Sequence, residues 1–285
     1  MNTIHKTFNI GGKLYDCQTP LVMGIINLTP DSFFSGSRAQ SMQEIAAQAK
    51  ACVAQGADML DFGAYSTRPG AENISAEDEI ARFRDALPIM QELSAELPIS
   101  IDTFRSSTVR HISDKLGHFI VNDISAGHLD PQMYATVAEL KLPYLGMHMR
   151  GTPQTKQNHT QYSSLIGECI MYFTKLIADL SLIGVADIFI DPGFGFSKTL
   201  EQNYELLDEL DRFAVLQRPI VVGLSRKSML YKLLKCNPEE ALTGTTAAHT
   251  IALLKGADIL RVHDVREAKE TVQVVRQMHL SRTGN

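Results

Sequence analysis

Two acids and an amide close short apolar runs in this chain: Asp102 ends PISID, Asp191 ends IFID, and Asn122 lies in IVND beside Asp123. A lone Asp at a strand end is commonly a helix cap or a turn residue. Two acids and an amide at equivalent places suit another task, binding the donor-rich edge of a flat heterocycle. An ionised carboxylate accepts paired N–H bonds and so fixes orientation as well as strength. Cations stand in the same setting. Ser225-Arg226-Lys227-Ser228 lies between an apolar run and a helix start, and Arg261-Val262-His263-Asp264 ends the last run. Solvated surface charge is the plain alternative for either group. Alternate residues of an extended strand point the same way, however, so Arg261 and His263 could grip one anion together. His148 reads as a core histidine rather than a pocket residue. The sequence has no HExxH, GxSxG or Walker pattern and no paired Cys–His nucleophile, so covalent catalysis is not indicated.

The elements that would position these groups are short apolar runs at 22–27, 59–62, 99–102, 120–123, 144–148, 188–191, 220–223 and 259–262. Amphipathic stretches fill the gaps, at 43–55, 106–115, 131–140, 165–183, 199–213, 241–255 and 265–278, plus one after Ser75 in which Ile80, Phe83, Leu87, Met90 and Leu93 recur at helical spacing. Ser75 with Asp78 resembles a capping box, and Pro88 is expected to kink or split that helix. Strands alternating with helices pair in parallel, and runs apolar at consecutive positions are buried on both faces. Eight such units favour a closed (β/α)8 TIM barrel, an α/β fold, with active groups at the C-terminal strand ends. No GxGxxG follows the first strand, which disfavours a dinucleotide-binding sheet. TFNIGGKLYD at 7–16 reads as a β-hairpin turning at Gly11-Gly12. The expected organisation is a single domain over 1–285, with 1–20 as a hairpin extension. Two loops, 28–40 and 63–73, are long and rich in Gly, Pro and Ser; the first carries Phe33 and Phe34 and reads as a lid.

Composition narrows the class. The chain has 285 residues, and such barrels occupy about 250 as one domain. A formal net charge of −5 argues against nucleic acid or a membrane surface. No stretch approaches the ~20 apolar residues of a membrane span. The opening MNTIHKTFNIGG lacks a signal-peptide core, and the scattered Cys17, Cys52, Cys169 and Cys236 read as reduced thiols, so a cytoplasmic location is expected.

The residues carry a resemblance. GIINLTPDSFF at 24–34, STRPGA at 66–71, SIDTFR at 100–105, VNDISAG at 121–127, GMHMRGTP at 146–153, DPGFGFSKT at 191–199, GLSRKS at 223–228 and RVHDV at 261–265 resemble the dihydropteroate synthase family, in that family's order. The resemblance implies a magnesium-requiring transferase of folate biosynthesis. Such an enzyme joins 6-hydroxymethyl-7,8-dihydropterin diphosphate to 4-aminobenzoate with loss of diphosphate, through an SN1-like step. It further implies a pterin pocket of Asp102, Asn122, Asp191 and Lys227 with Met149, and a diphosphate and Mg2+ site of Asn27, Arg68, Arg261 and His263, with Asn27 on the metal. The 4-aminobenzoate site would comprise Phe33, Thr67, Pro69, Phe196, Lys227 and Ser228. Catalysis would fall to Asp102, Asp191, Lys227, Arg261 and His263. A homodimer pairing outer helices is implied as well. Ala64-Tyr65 and Arg150 depart from the family's usual residues without touching these positions. A methyltetrahydrofolate-binding methyltransferase should lack STRPG and SRKS. A sugar-phosphate isomerase or aldolase would want a lysine or glutamate base within a strand. A pterin-binding protein without activity would have lost a loop or anion residue.

Overall fold

Alternation along the strands decides which side chains enter the barrel. In the computed structural model, which describes residues 6–29, 38–65, 73–152, 155 and 159–283, a ring of parallel strands is built from β3 (Leu21–Asn27), β4 (Met59–Gly63), β5 (Ile99–Asp102), β6 (Ile120–Asp123), β7 (Tyr144–Met147), β8 (Ile188–Asp191), β9 (Val221–Val222) and β10 (Ile259–Val262). The row runs β8-β7-β6-β5-β4-β3-β10-β9, and a parallel bridge between Ile190 and Ile220 brings its two ends together. The chain is therefore a (β/α)8 barrel. Leu60, Phe62, Ile99, Ile101, Val121, Ile188, Ile190, Leu260 and Val262 join the core under the helices. Met23, Met59, Ile120, Leu145, Phe189, Val221 and Ile259 form a second, interior cluster. Two places beyond Met59, Ile120, Phe189 and Ile259, and so above that plug, stand the polar residues Asp61, Asn122, Asp191 and Arg261.

The crossover helices are α1 (Arg38–Ala54), α2 (Ala76–Ser94), α3 (Ser106–Leu116), α4 (Met133–Glu139), α5 (Leu165–Leu182), α6 (Leu200–Asp208), α7 (Ser228–Leu234), α8 (Leu242–Leu254) and α9 (Val265–Thr283). Ser75 caps α2 as expected, its hydroxyl accepting from the Asp78 N–H at 3.0 Å. The expected split at Pro88 is absent: α2 runs through it with Leu87, Ile89 and Met90 buried. One lost backbone bond is outweighed by that apolar face lying on the barrel. The stretch 199–213 is not one helix either; α6 ends at Asp208 and a 3-10 segment, Leu210–Leu216, follows. No helix among the described residues is long and apolar enough to cross a membrane.

At the N-terminal end of the ring, β1 (Thr7–Ile10) and β2 (Lys13–Asp16) pair antiparallel. Their turn places Gly11 at φ +57° and Gly12 at φ +91°, the successive left-handed residues of a tight hairpin turn. Phe8, Ile10 and Cys17 enter the interior cluster, and Phe8 meets Phe189 edge-on with centroids 4.9 Å apart. The hairpin thus stops the barrel from below. Phe8 is 1% exposed, so Phe8→Ala is expected to cost about 3–5 kcal/mol of stability. Urea unfolding checks this; a loss below about 1 kcal/mol would show that the hairpin does not share the core.

Candidate active site

Above the interior plug, the inward positions of β4, β5, β6, β8 and β10 carry polar or charged side chains. Gly63 pairs in register with Asp102, and Asp102 pairs with Asn122. Met147 pairs with Asp191, and Arg261 with Met23. The groups meet at the C-terminal strand ends. The Arg261 guanidinium donates through Nε to Asp61 at 2.6 Å and through a terminal nitrogen to Asp102 at 2.8 Å. The Asn122 amide nitrogen lies 3.1 and 3.3 Å from the two Asp61 oxygens. Asp61, Asp102, Asn122 and Arg261, on β4, β5, β6 and β10, therefore form one hydrogen-bonded cluster. Burial pushes the Asp102 carboxyl up to about 7, with Arg261 acting against it and Asp61, Glu79 and Asp123 adding to it. For Arg261, burial disfavours the cation, but the charges of Asp61 and Asp102 hold it well above the usual arginine range.

Asp191 lies beside this cluster and is 7% exposed. It accepts from the Gly193 N–H at 2.8 Å. Burial raises its pKa, opposed by Lys227, Gly193 and Arg261. The turn after Asp191 needs glycine. At Gly193, φ is +76°, and a Cβ would lie 2.1 Å from the His148 carbonyl oxygen. Lys227, the residue before α7, donates to the Phe194 carbonyl, and its ammonium stands 5.0 Å from the Phe196 ring centroid. Phe196 packs with Met149, Met147 and Ile124, and Phe104 packs against them. This gives an apolar wall next to the acids. Ser228 opens α7 and is half-buried.

Other expected members are placed differently from one another. Asn122 and Asp123 face opposite ways: Asp123 is turned out of the barrel, bonded to the Tyr144 hydroxyl at 2.7 Å and to Ser125 and Gly127. His263 is exposed, with Nδ1 3.2 Å from the Ser225 hydroxyl, whereas Arg261 turns inward to the acids. Arg226 pairs bidentately with Asp264 at 2.6 and 3.0 Å and ties two loops together. His148 is a buried histidine, 2% exposed, pushed down to about 2 by burial and by the Lys198 and Arg150 charges. Lys198, itself buried, bonds the Gly193 and Phe196 carbonyls at 3.1 and 3.2 Å and so fixes the loop that presents Phe196. Phe33, Thr67, Arg68 and Pro69, with most of the two long loops, lie outside the described residues.

Asn27, half-buried at the end of β3, offers an amide oxygen. Among the described residues no group of three or more His, Cys, Asp or Glu is arranged to hold a metal. That donor set fits a hard cation carried on phosphate oxygens and water, which takes only one or two protein oxygens.

Sequence reasoning missed Asp61, Lys198 and the outward turn of Asp123. Asp61 had a signal: it is an acid within the apolar strand MLDFG, at the same parity as Met59 and Gly63.

A family model described as pterin binding enzyme matches residues 23–263. The dihydropteroate synthase of Synechocystis sp. is 43% identical over 271 residues, covering 93% of this chain and 92% of its own length. That of Escherichia coli is 40% identical over 274 residues, covering 95% of both chains. Among solved structures, Yersinia pestis dihydropteroate synthase in a sulfonamide drug complex matches with a TM-score of 0.88 at 33% identity, over 96% of this chain and 99% of that one. Xanthomonas albilineans dihydropteroate synthase with 4-aminobenzoic acid matches with a TM-score of 0.87 at 33% identity, over 97% and 99%.

Proposed function

Because the chain belongs to the pterin-binding enzyme family, we propose that it is an enzyme that condenses 6-hydroxymethyl-7,8-dihydropterin diphosphate with 4-aminobenzoate, giving 7,8-dihydropteroate and diphosphate. One observation carries this reading: Asp102, Asn122 and Arg261, from distant parts of the chain, are joined in a single cluster at the C-terminal rim, with Asp191 and Lys227 beside it.

The heterocycle lies against Asp102, Asn122 and Asp191, whose oxygens accept from its amino and ring N–H groups, while Met149 and Lys227 border it. The bond from the pterin methylene carbon to the diphosphate oxygen breaks, and the electron pair leaves with diphosphate. The resulting cation is spread over the pterin ring. The negative charge of Asp102 and Asp191, held in a buried setting, favours it over the neutral starting material. The aryl amine nitrogen then attacks that carbon and loses a proton. An aromatic amine needs no strong base, which agrees with the lack of a lysine or glutamate base in the strand interiors.

Arg261 and His263 take the diphosphate, together with Arg68 and Asn27. Asn27 would be the protein residue that holds a magnesium ion carried on that diphosphate, which would add positive charge at the leaving oxygens. The 4-aminobenzoate ring stacks against Phe196 and its carboxylate meets Lys227 and Ser228, with Phe33, Thr67 and Pro69 completing that side. We further assign the chain to a single domain, in the cytoplasm, as a homodimer. Free thiols at Cys17, Cys52, Cys169 and Cys236 agree with a reducing compartment. Exposed Ile251, Leu254, Val274 and Met278, on α8 and α9, offer apolar surface for pairing.

The test supplies the pterin diphosphate, 4-aminobenzoate and magnesium, and follows dihydropteroate and diphosphate together. Equal formation of both is the expected result. Tight pterin binding with no product would leave a pterin-binding protein without the transferase activity.

A further inference from the structure

We propose that Asp61 is a positioning residue of the pterin site, fixing which end of the Asn122 amide faces the substrate and holding Arg261 turned into the barrel. The inference rests on the pterin assignment above and names what gives that site its donor and acceptor order.

Asp61 occupies the middle inward position of β4 and is 0% exposed. Its strand neighbours are β3 and β5, yet its bonds reach past them, to Arg261 on β10 and to Asn122 on β6. It therefore connects two strands that do not touch each other, across the barrel interior. An ionised carboxylate can only accept. The Asn122 side chain must therefore turn its nitrogen, not its oxygen, toward Asp61, as the 3.1 Å contact records. One N–H is committed to that bond. The carbonyl oxygen and the second N–H remain for a ligand, in an order set by the planar amide. Reversing the amide would set oxygen against carboxylate, so Asp61 excludes the other order.

Asp61 does not serve only as a counter-charge for Arg261. Asp102 already provides one, 2.8 Å from the guanidinium. What Asp61 adds is a second anchor on Nε, which fixes the plane of the guanidinium, and the lock on Asn122. A heterocycle whose edge presents an acceptor beside a donor in the matching order is admitted. Its isomer with those groups exchanged meets like against like, and a buried site built on hydrogen bonds rejects such an analogue strongly.

Asp61→Asn keeps the size and removes both the charge and the restriction, because an amide can also donate. With the full-length protein and magnesium, titration calorimetry with the pterin diphosphate is expected to show a dissociation constant raised on the order of 100-fold. The KM for 4-aminobenzoate should stay within about threefold, since Asp61 does not reach that part of the site. In an Asn122→Ala background the same change should cost only about tenfold, the share that passes through Arg261. The acid limb of pterin binding should move to lower pH, because Asp61 is one of the charges that raise Asp102, with Glu79 and Asp123, while Arg261 lowers it. Equal loss in both backgrounds with an unmoved acid limb would overturn the proposal and leave Asp61 a structural residue. So would pterin binding within about threefold of the parent.

Should Asp61→Asn not fold, the parent protein still decides. In 15N-labelled enzyme, the Asn122 side-chain amide, assigned by its loss in Asn122→Ala, is expected to keep one proton protected from solvent exchange without any ligand. Rapid exchange of both protons overturns the lock. This measurement uses no substrate, so it stands even if the parent fails to make dihydropteroate and the functional reading falls.

Discussion

Arg261→Ala is expected to lower kcat/KM by at least about 1,000-fold and to destabilise the fold by about 3–5 kcal/mol, the cost of breaking a buried ion pair from one side. Both losses have one origin. The guanidinium is the cation bonded to Asp61 and Asp102, and its removal leaves two acids confronting each other inside the barrel. The stability loss carries a pH signature whose sign can be worked out. Asp102 has its pKa raised in the folded protein to about 7, against an ordinary 3.8, with Arg261 opposing the rise. Without Arg261 it rises further. An acid with a raised folded-state pKa binds its proton more tightly folded than unfolded, so stability is lost as pH climbs from the ordinary value through the folded one. The deficit of Arg261→Ala should accordingly be largest at pH 8 and shrink toward pH 5. Arg261→Lys keeps the charge without the fork; it should recover much of the stability and little of the activity. Urea unfolding at both pH values, with steady-state kinetics, separates these effects. A variant equally stable at both and turning over like the parent would remove Arg261 from the site.

The contrast between what was legible and what was not lies in the range of the interaction. Strand ends can be read from the sequence because each is a local event, an apolar run that stops at a polar residue. Asp102, Asp191 and Arg261 were found that way, as was the hairpin, whose Gly11-Gly12 pair admits few conformations. The partner of Arg261 could not be found locally, because Asp61 lies 200 residues away and is joined to it only when β10 and β4 curve around β3. The inward turn of Arg261 follows from that partner. Sequence placed it beside His263 as an anion clamp; the folded chain adds that its guanidinium is bonded to Asp61 and Asp102. Asp123 shows the converse. One residue from Asn122, it faces outward onto Tyr144, because the strand's period of two separates neighbours completely. The split expected at Pro88 is absent for an energetic reason: the missing hydrogen bond is a local cost, while the buried face of α2 is decided by the barrel.

Asp191 should behave in the opposite sense to Arg261, and this is the sharper test of the site. Asp191→Ala is expected to abolish most turnover, at least about 1,000-fold in kcat, because the acid stabilises charge that develops on the pterin as diphosphate leaves. If that is its role, kcat falls far more than KM rises, the mark of an interaction made chiefly in the transition state. Asp191→Asn makes the distinction finer. The amide oxygen can keep the bond from the Gly193 N–H, which the parent makes at 2.8 Å, while the negative charge is lost. Burial is the largest influence on this carboxyl and works against its charge. Neutralising it should leave stability at pH 8 unchanged or raise it by roughly 1 kcal/mol, a gain of the kind that active-site acids forgo for function. Turnover should still fall about 100-fold, the scale of losing one electrostatic contact to the transition state. Thermal unfolding and kinetics on the same preparation give the two signs together. Parallel losses in stability and kcat would make Asp191 a structural acid that holds the loop after β8, and the cation would then need another partner.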